Sequence, residues 1–159
     1  MKKHRLCVVL LGIALSAIAL PASASHYSLS DIEFVPSKQI TALAQMKITS
    51  TRTLLEITRT KQQRRELAQK LKVKATAVRE WALTCDLLRV RGIGPRMAKL
   101  LTAANVNSIK KLAAQTAPDL AKKIKIANNR VKVTENPPGE ENLSNWITQA
   151  KRLPIVVQE

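Results

Sequence analysis

The feature that most constrains the fold of this chain is the helical spacing of its apolar residues. Two segments carry apolar side chains at positions i, i+3, i+4, i+7 and i+10, which share one face of an α-helix. The first set is Val78, Trp81, Ala82, Cys85 and Leu88, and the second is Leu143, Trp146, Ile147, Ala150 and Leu153. No stretch shows the sustained alternation of β-branched residues that is typical of strands. The sequence therefore predicts an all-α fold with no sheet.

The two tryptophan segments belong to a longer internal repeat. Residues 32–35 align with residues 90–93 at an offset of 58. The matches continue, in order, through Leu43 with Leu101, Ile48 with Val106, Leu54 with Leu112 and, after gaps, Trp81 with Trp146. Chance similarity between helices rich in Lys, Ala and Leu is the alternative. We expect a single domain, residues 25–159, made of two repeats at about 29–89 and 87–153 with about eight or nine short helices.

Capping residues and prolines predict where several helices begin and end. Thr49 and Asn107 occupy equivalent positions in the two repeats and are candidate N-caps. Thr116 is predicted to open another helix, because proline and aspartate follow it within the first turn. Residues 137–139, Pro-Pro-Gly, predict a turn before the last helix, and Pro154 is expected to end that helix.

The first 24 residues have the layout of a secretory signal peptide. A basic start, residues 1–5, precedes an uncharged apolar run, residues 6–20, and Ala22-Ser23-Ala24 is a small-residue cleavage site. A membrane anchor is the alternative, but a spanning helix needs roughly 20 apolar residues. We expect cleavage after Ala24, export to the periplasm or the medium, and no stable membrane span in the mature protein.

The expected mature chain is strongly basic. Without Lys2, Lys3 and Arg5, the 27 basic residues fall to 24 against 11 acidic ones, a net charge of +13. Such a charge attracts polyanions: nucleic acid, anionic lipid or acidic polysaccharide. The positive charge is densest within residues 37–79, and we expect a diffuse basic surface there. The alternative is that these side chains only form solvated helix faces. The residues of this basic surface are Lys61, Arg64, Arg65, Lys70 and Lys72.

Cysteine usage excludes an internal disulfide in the mature chain. Cys7 lies in the predicted signal peptide, so Cys85 is the one cysteine that remains. Cys85 lies on the apolar face of a predicted helix, which favours a buried small hydrophobic residue over a reactive thiol or a dimer link.

Two of the few glycines mark the segment with the clearest chemistry. Gly92 and Gly94 lie between a predicted helix and a second helix that should begin at Pro95. Glycine permits a tight turn and close approach of a ligand to the backbone. Amide groups of such a turn, together with a helix N-terminus, favour an anion. The predicted phosphate-binding residues are Arg91, Gly92, Ile93, Gly94, Arg96 and Lys99.

Residues 90–98 resemble a helix-hairpin-helix motif, in which a hydrophobic-Gly-hydrophobic-Gly turn binds nucleic-acid backbones without reading sequence. Over about residues 27–154 the chain resembles a bacterial, exported family of tandem helix-hairpin-helix domains of unassigned function. The stretches that carry this resemblance are residues 86–89, residues 100–106 and the tryptophan segment 146–153. In the first repeat Phe34 and Pro36 replace the two glycines. Since Pro36 has no N–H, we expect a structural role there, with Phe34 in the core or at an interface.

No catalytic or cofactor-binding constellation is visible. One cysteine and His26 cannot form a metal site or a triad, and neither a P-loop nor a dinucleotide fingerprint occurs. The tryptophans lie on apolar helix faces, so they are expected in the core and not as stacking platforms for bases. The leading hypothesis is non-catalytic, sequence-independent binding of a phosphate backbone, with double-stranded DNA or another polyanion as partner. The alternative is an adaptor that binds a protein or an anionic envelope polymer.

Overall fold

The computed structural model describes residues 26–158, so the predicted signal peptide lies outside the described residues. The described chain forms a short 3₁₀-helix, Leu29–Asp31, followed by eight α-helices, and contains no sheet. The helices are α1 (Ser37–Gln45), α2 (Thr51–Glu56), α3 (Lys61–Leu71), α4 (Ala75–Leu87), α5 (Pro95–Ala103), α6 (Ile109–Ala113), α7 (Ala117–Val131) and α8 (Glu140–Arg152). The prediction of an all-α fold is confirmed.

The helices form two halves of four, each around its own apolar core. Helices α1 to α4 bury one cluster, which includes Leu43, Leu54 and Trp81, and α5 to α8 bury a second one. Left-handed backbone recurs at matching places: Lys47 and Asn105 after α1 and α5, and Lys72 and Lys132 after α3 and α7. The halves therefore share helix order and helix-end geometry.

Helices α2 and α6 begin one residue later than predicted. Their N-caps are Ser50 and Ser108, whose hydroxyl groups each accept a hydrogen bond at 3.2 Å from the backbone N–H three residues on. Thr49 instead offers its carbonyl oxygen to the N–H of Leu29, at 2.8 Å. The assignment of Thr49 and Asn107 as caps was wrong, because the serine that follows each one makes the capping bond.

The predicted starts of α7 and α5 and the predicted end of α8 are confirmed, whereas residues 137–139 form no turn. Thr116 caps α7, and its hydroxyl accepts from the N–H of Asp119. Gly139 is the N-cap of α8, which ends at Arg152, two residues before Pro154. Helix α5 begins at Pro95, as expected.

The tryptophans and the cysteine lie in the cores. Trp81 and Trp146 are each 6% exposed and take equivalent positions in α4 and α8, as predicted. Cys85 is 2% exposed, and burial raises the pKa of its thiol well above the usual range. This confirms Cys85 as a buried residue, since a thiol of this kind is inert at neutral pH.

The two halves are joined by packing at both ends of the described chain. Tyr27 and Phe34 each pack against both cores. The C-terminal strap, residues 153–158, leaves α8 and returns to the first half, where Val157 is 2% exposed within the first core. The N–H of Gln158 donates to the carbonyl of Arg59, at 2.9 Å.

A buried ion pair lies where α4 leads towards the second half. Asp86 is 2% exposed and accepts a hydrogen bond from Arg89, which also donates to the carbonyl of Pro154 in the strap. Burial raises the pKa of Asp86, against the opposing effect of the Arg89 hydrogen bond and charge. Arg89 thus ties α4 to the strap while it partly offsets the cost of burying the carboxylate.

Candidate anion-binding site at the glycine turn

The glycine turn, residues 90–94, connects α4 to α5. The N–H of Ile93 donates to the carbonyl of Val90 at 3.0 Å and closes the turn. Gly92 has φ +90°, a conformation that other residues rarely adopt, and a Cβ atom there would lie 2.7 Å from Nε1 of Trp146. Gly92 is therefore required both for its backbone conformation and for its contact with the tryptophan of α8.

Gly94 differs from Gly92. Its backbone is extended, with φ −91° and ψ 178°, and it is the N-cap of α5. A Cβ atom there would lie 3.4 Å from the hydroxyl of Tyr27. The expectation that both glycines serve a tight turn was wrong for Gly94, because other residues adopt its backbone conformation.

A glutamine of α8 holds the glycine turn through its backbone. The side chain of Gln149 accepts from the N–H of Arg91 at 2.9 Å and donates to the carbonyl of Arg91 at 3.2 Å. The same amide nitrogen lies 3.2 Å from Oδ1 of Asn145, which orients it. Gln149 was not among the predicted site residues, and its position within the tryptophan segment is the one feature of the sequence that points to it.

The backbone amides of the turn are only partly available to a ligand. Ile93, one of the predicted binding residues, is 1% exposed and its N–H is used inside the turn, so it has no free N–H to offer a ligand. The N–H groups of Gly92, Gly94, Arg96 and Met97 donate to no group of the described chain. Helix α5 also has no side-chain cap. The positive end of α5 is thus open beside the turn, in the sense that these N–H groups have no partner in the described chain.

The predicted cations around the turn differ in their contacts. Arg91 is exposed, and its side chain contacts no acidic group among residues 26–158. Arg96 is also exposed and donates to the carbonyl of Val133, after α7, at 2.6 Å. Lys99 pairs with Glu33 of the first half, with 3.1 Å between Nζ and Oε2. Arg91 and Arg96 thus carry the uncompensated charge nearest to the glycine turn.

A cleft of about 670 Å³ separates this region from the first half. Its lining includes three acidic residues from the first half and three basic residues from the second. They are Asp31, Glu33 and Glu80, and Arg96, Lys99 and Lys132. The acidic side is unfavourable for a phosphate, so an anion is favoured on the basic side and at the turn.

The equivalent turn of the first half has a different structure. Phe34, at the position that matches Gly92, is half-buried, packs against both cores and lines the cleft beside Trp81. Pro36 is the N-cap of α1 and has no N–H to donate. The expectation of Phe34 in the core or at an interface is confirmed, since it lies between the halves.

The diffuse basic surface predicted in the first half needs one correction. Lys61, Arg65, Lys70 and Lys72 are exposed. Arg64 is 3% exposed, and its guanidinium donates to the carbonyls of Thr58, Arg59 and Gln158, at 2.8, 2.8 and 2.6 Å. Burial, and secondly the charge of Arg79, lower the pKa of Arg64. Arg64 is therefore a structural residue that binds the strap to the first half.

These observations define a class: an all-helical, basic domain of two four-helix halves with one solvent-open glycine turn. The chain belongs to the family described as a domain of unknown function, DUF4332, whose model matches residues 35–153. No curated protein and no solved structure matches the chain. Between residues 26 and 158, no helix has the length and apolar character needed to cross a lipid bilayer.

Proposed function

We propose that this protein binds the phosphate backbone of nucleic acid without reading sequence and without catalysing a reaction. The observation that carries the proposal is the open start of α5, where unpaired backbone N–H groups lie beside exposed Arg91 and Arg96. A helix N-terminus with free amides favours negative charge, and flanking arginines add charge-assisted hydrogen bonds.

The order of elements supports a helix-hairpin-helix interpretation. Helix α4, the glycine turn and α5 follow one another as in the motif that residues 90–98 resemble. Gln149 and Trp146 hold the turn against α8, so its open amides lie on a backbone that needs little reorganisation to bind. Gly92 is exposed, which leaves room for a close approach of the ligand backbone.

Double-stranded DNA is the ligand that fits this surface best. Single-strand binding relies on aromatic platforms for stacking bases, whereas Trp81 and Trp146 are each 6% exposed. Contacts made by amides and cations to phosphates carry no sequence information. We place this binding in the periplasm or the medium, in accord with the signal peptide predicted at the N-terminus.

The test compares two single-charge variants. Arg91→Ala removes an exposed cation at the glycine turn, and Lys151→Ala removes an exposed cation at the end of α8. Fluorescence anisotropy with two unrelated DNA duplexes, over a series of salt concentrations, should give equal affinities and a steep salt dependence for the parent. Removal of one cation that neutralises a phosphate should reduce the slope of log affinity against log salt by about 0.9.

We expect Arg91→Ala to lower this slope and Lys151→Ala to leave it nearly unchanged. Equal effects of the two variants would mean generic charge attraction and would reject the glycine turn as a site. A parent protein that binds neither duplex at low salt would favour the alternative, an adaptor for a protein or an anionic envelope polymer. Heparin in place of DNA tests the second of these partners directly.

A further inference from the structure

Lysine takes an unusual backbone position at the ends of three helices. Four residues other than glycine have positive φ among residues 26–158: Lys47, Lys72, Asn105 and Lys132. Glycine and asparagine are the residues usually found there, because a side chain strains left-handed backbone. Compared with glycine, a lysine at such a position adds a positive charge but costs backbone conformational energy. Whether that charge has a binding role depends on what surrounds it.

Lys132 lies next to the proposed site. It follows α7, and its N–H donates to the carbonyl of Asn128 at 2.7 Å. The next residue, Val133, accepts the hydrogen bond from Arg96. Arg96 and Lys132 line the same cleft and also a second hollow beside it. In the part of the chain that the structure covers, no acidic side chain pairs with Lys132.

The side chain of Asn128 holds the backbone segment that follows Lys132 in place. Oδ1 of Asn128 accepts from the N–H groups of Val133 and Thr134 at 3.0 and 3.1 Å, and its Nδ2 donates to the carbonyl of Thr134 at 2.8 Å. The carbonyl that holds Arg96 is therefore itself fixed. Preorganised donors of this kind lose little conformational entropy when they bind an anion.

The first half has the same two cations without this support. By their places at the start of α1 and after α3, Lys38 and Lys72 match Arg96 and Lys132, and Lys72 has the same left-handed backbone. The residue that matches Asn128, four positions before the left-handed lysine, is Ala68, whose side chain cannot bind the following loop. The chain thus contains an internal control in which charge and backbone conformation are kept and no asparagine side chain holds the loop that follows.

We propose that Arg96 and Lys132 form a two-cation clamp for one phosphate group of the bound backbone, an inference that rests on the proposed function. The open amides at the start of α5 would meet the phosphate from one side. Arg96, whose side chain extends from α5 to the carbonyl of Val133, and Lys132, which follows α7, meet it from the other side. Lys132 is thereby assigned as a phosphate-binding residue, which neither the motif nor the charge pattern indicated.

The test replaces lysine by glycine. Lys132→Gly removes the charge and also relieves the left-handed backbone, so the variant should unfold at the same urea concentration as the parent or at a higher one. Lys72→Gly is the matched control, with the same loss of charge and the same relief in the first half. Any loss of binding by Lys132→Gly then has no origin in unfolding.

With duplex DNA, Lys132→Gly should reduce the salt slope by about 0.9, and Lys72→Gly, which removes only a diffuse contact, should reduce it by clearly less. Arg96→Gln, which keeps a donor for Val133, should give a similar reduction. The double variant should lose less than the sum of the two single changes, because both cations meet the same phosphate. The clamp would be rejected if the salt slope of Lys132→Gly equalled that of the parent, or if Lys132→Gly and Lys72→Gly reduced the slope equally. Either result would leave the proposed function standing.

Inorganic pyrophosphate separates the two proposals. In NMR titrations of the parent, it should shift the backbone amide signals of Gly94, Arg96 and Lys132 in a saturable way, and more weakly in Lys132→Gly. If the parent binds no DNA, the proposed function is wrong, and the pyrophosphate titration then decides on the clamp alone. If pyrophosphate shifts none of these three amide signals, the clamp is rejected.

Discussion

Replacing Gly92 by alanine perturbs the glycine turn at a single atom. Gly92 has φ +90°, and the added Cβ would lie 2.7 Å from Nε1 of Trp146. The indole cannot move away freely, because Trp146 is 6% exposed within the second core. The substitution therefore combines backbone strain with a clash against a rigid neighbour.

The two effects can be estimated separately. A non-glycine residue with left-handed backbone costs about 1–2 kcal/mol, and overpacking of a filled site costs about 1–3 kcal/mol. The sum, about 2–5 kcal/mol, is a large part of the roughly 5–15 kcal/mol that stabilises a domain. With a urea m-value of about 1.5 kcal/mol/M, a destabilisation of about 3 kcal/mol lowers the unfolding midpoint by about 2 M.

The assay is urea unfolding followed by far-UV circular dichroism, with two other glycines as controls. Gly94→Ala needs no new backbone conformation and brings its Cβ only to 3.4 Å from Tyr27, so we expect a change within about 0.5 kcal/mol. Gly139→Ala meets nothing within 4 Å and should change stability by less than about 1 kcal/mol. Equal midpoints for Gly92→Ala and Gly94→Ala would refute the argument from φ and from the Trp146 contact.

Three further outcomes follow from the buried polar groups. Arg64→Met removes the guanidinium from three carbonyl oxygens, of which that of Arg59 keeps the N–H of Gln158 as donor, and should cost about 2–4 kcal/mol in urea unfolding. Exposed Arg65→Met should stay within about 0.5 kcal/mol. The pKa of Asp86 is raised in the folded state, so its contribution to stability is present below the normal aspartate pKa and is lost as pH rises through the raised value. The unfolding midpoint of the parent should accordingly fall relative to that of Asp86→Asn as pH increases from about 4; a relative rise would show that the Arg89 pair dominates. Cys85 should react with a thiol reagent only in denaturant, and rapid reaction of the native protein would contradict its burial.

The features that sequence reasoning predicted well are those set by periodicity. Helical spacing put Trp81 and Trp146 on equivalent apolar faces, and burial of a continuous stripe against a core follows directly from that spacing. Cap positions were predicted less well, because adjacent hydroxyl residues compete for the same orphan amides. At Thr49 and Ser50, the competition is decided by a contact with Leu29, which is distant in sequence.

The features that sequence reasoning missed depend on tertiary partners. Arg64 belongs to a run of exposed cations by composition, yet the returning strap offers it the carbonyl of Gln158, 94 residues away. Gln149 holds Arg91 from 58 residues away, and no local pattern distinguishes it from an ordinary polar residue on a helix face. Burial of Ile93 follows from the turn that Gly92 permits, so the same feature that suggested an anion site also removed one of its expected donors.

The two turns show how one repeat position supports two different roles. Gly92 lets the backbone pass against the Trp146 indole and leaves the turn open to solvent, whereas Phe34 fills the equivalent position and packs the two halves together. The neighbouring Glu33 draws Lys99 into an ion pair across the cleft, which places negative charge beside the first turn. A polyanion that approaches this surface therefore meets open amides at one turn and a carboxylate at the other. In the proposed function, the positioned contact is therefore assigned to the second half, and the exposed lysines of the first half add attraction without orientation.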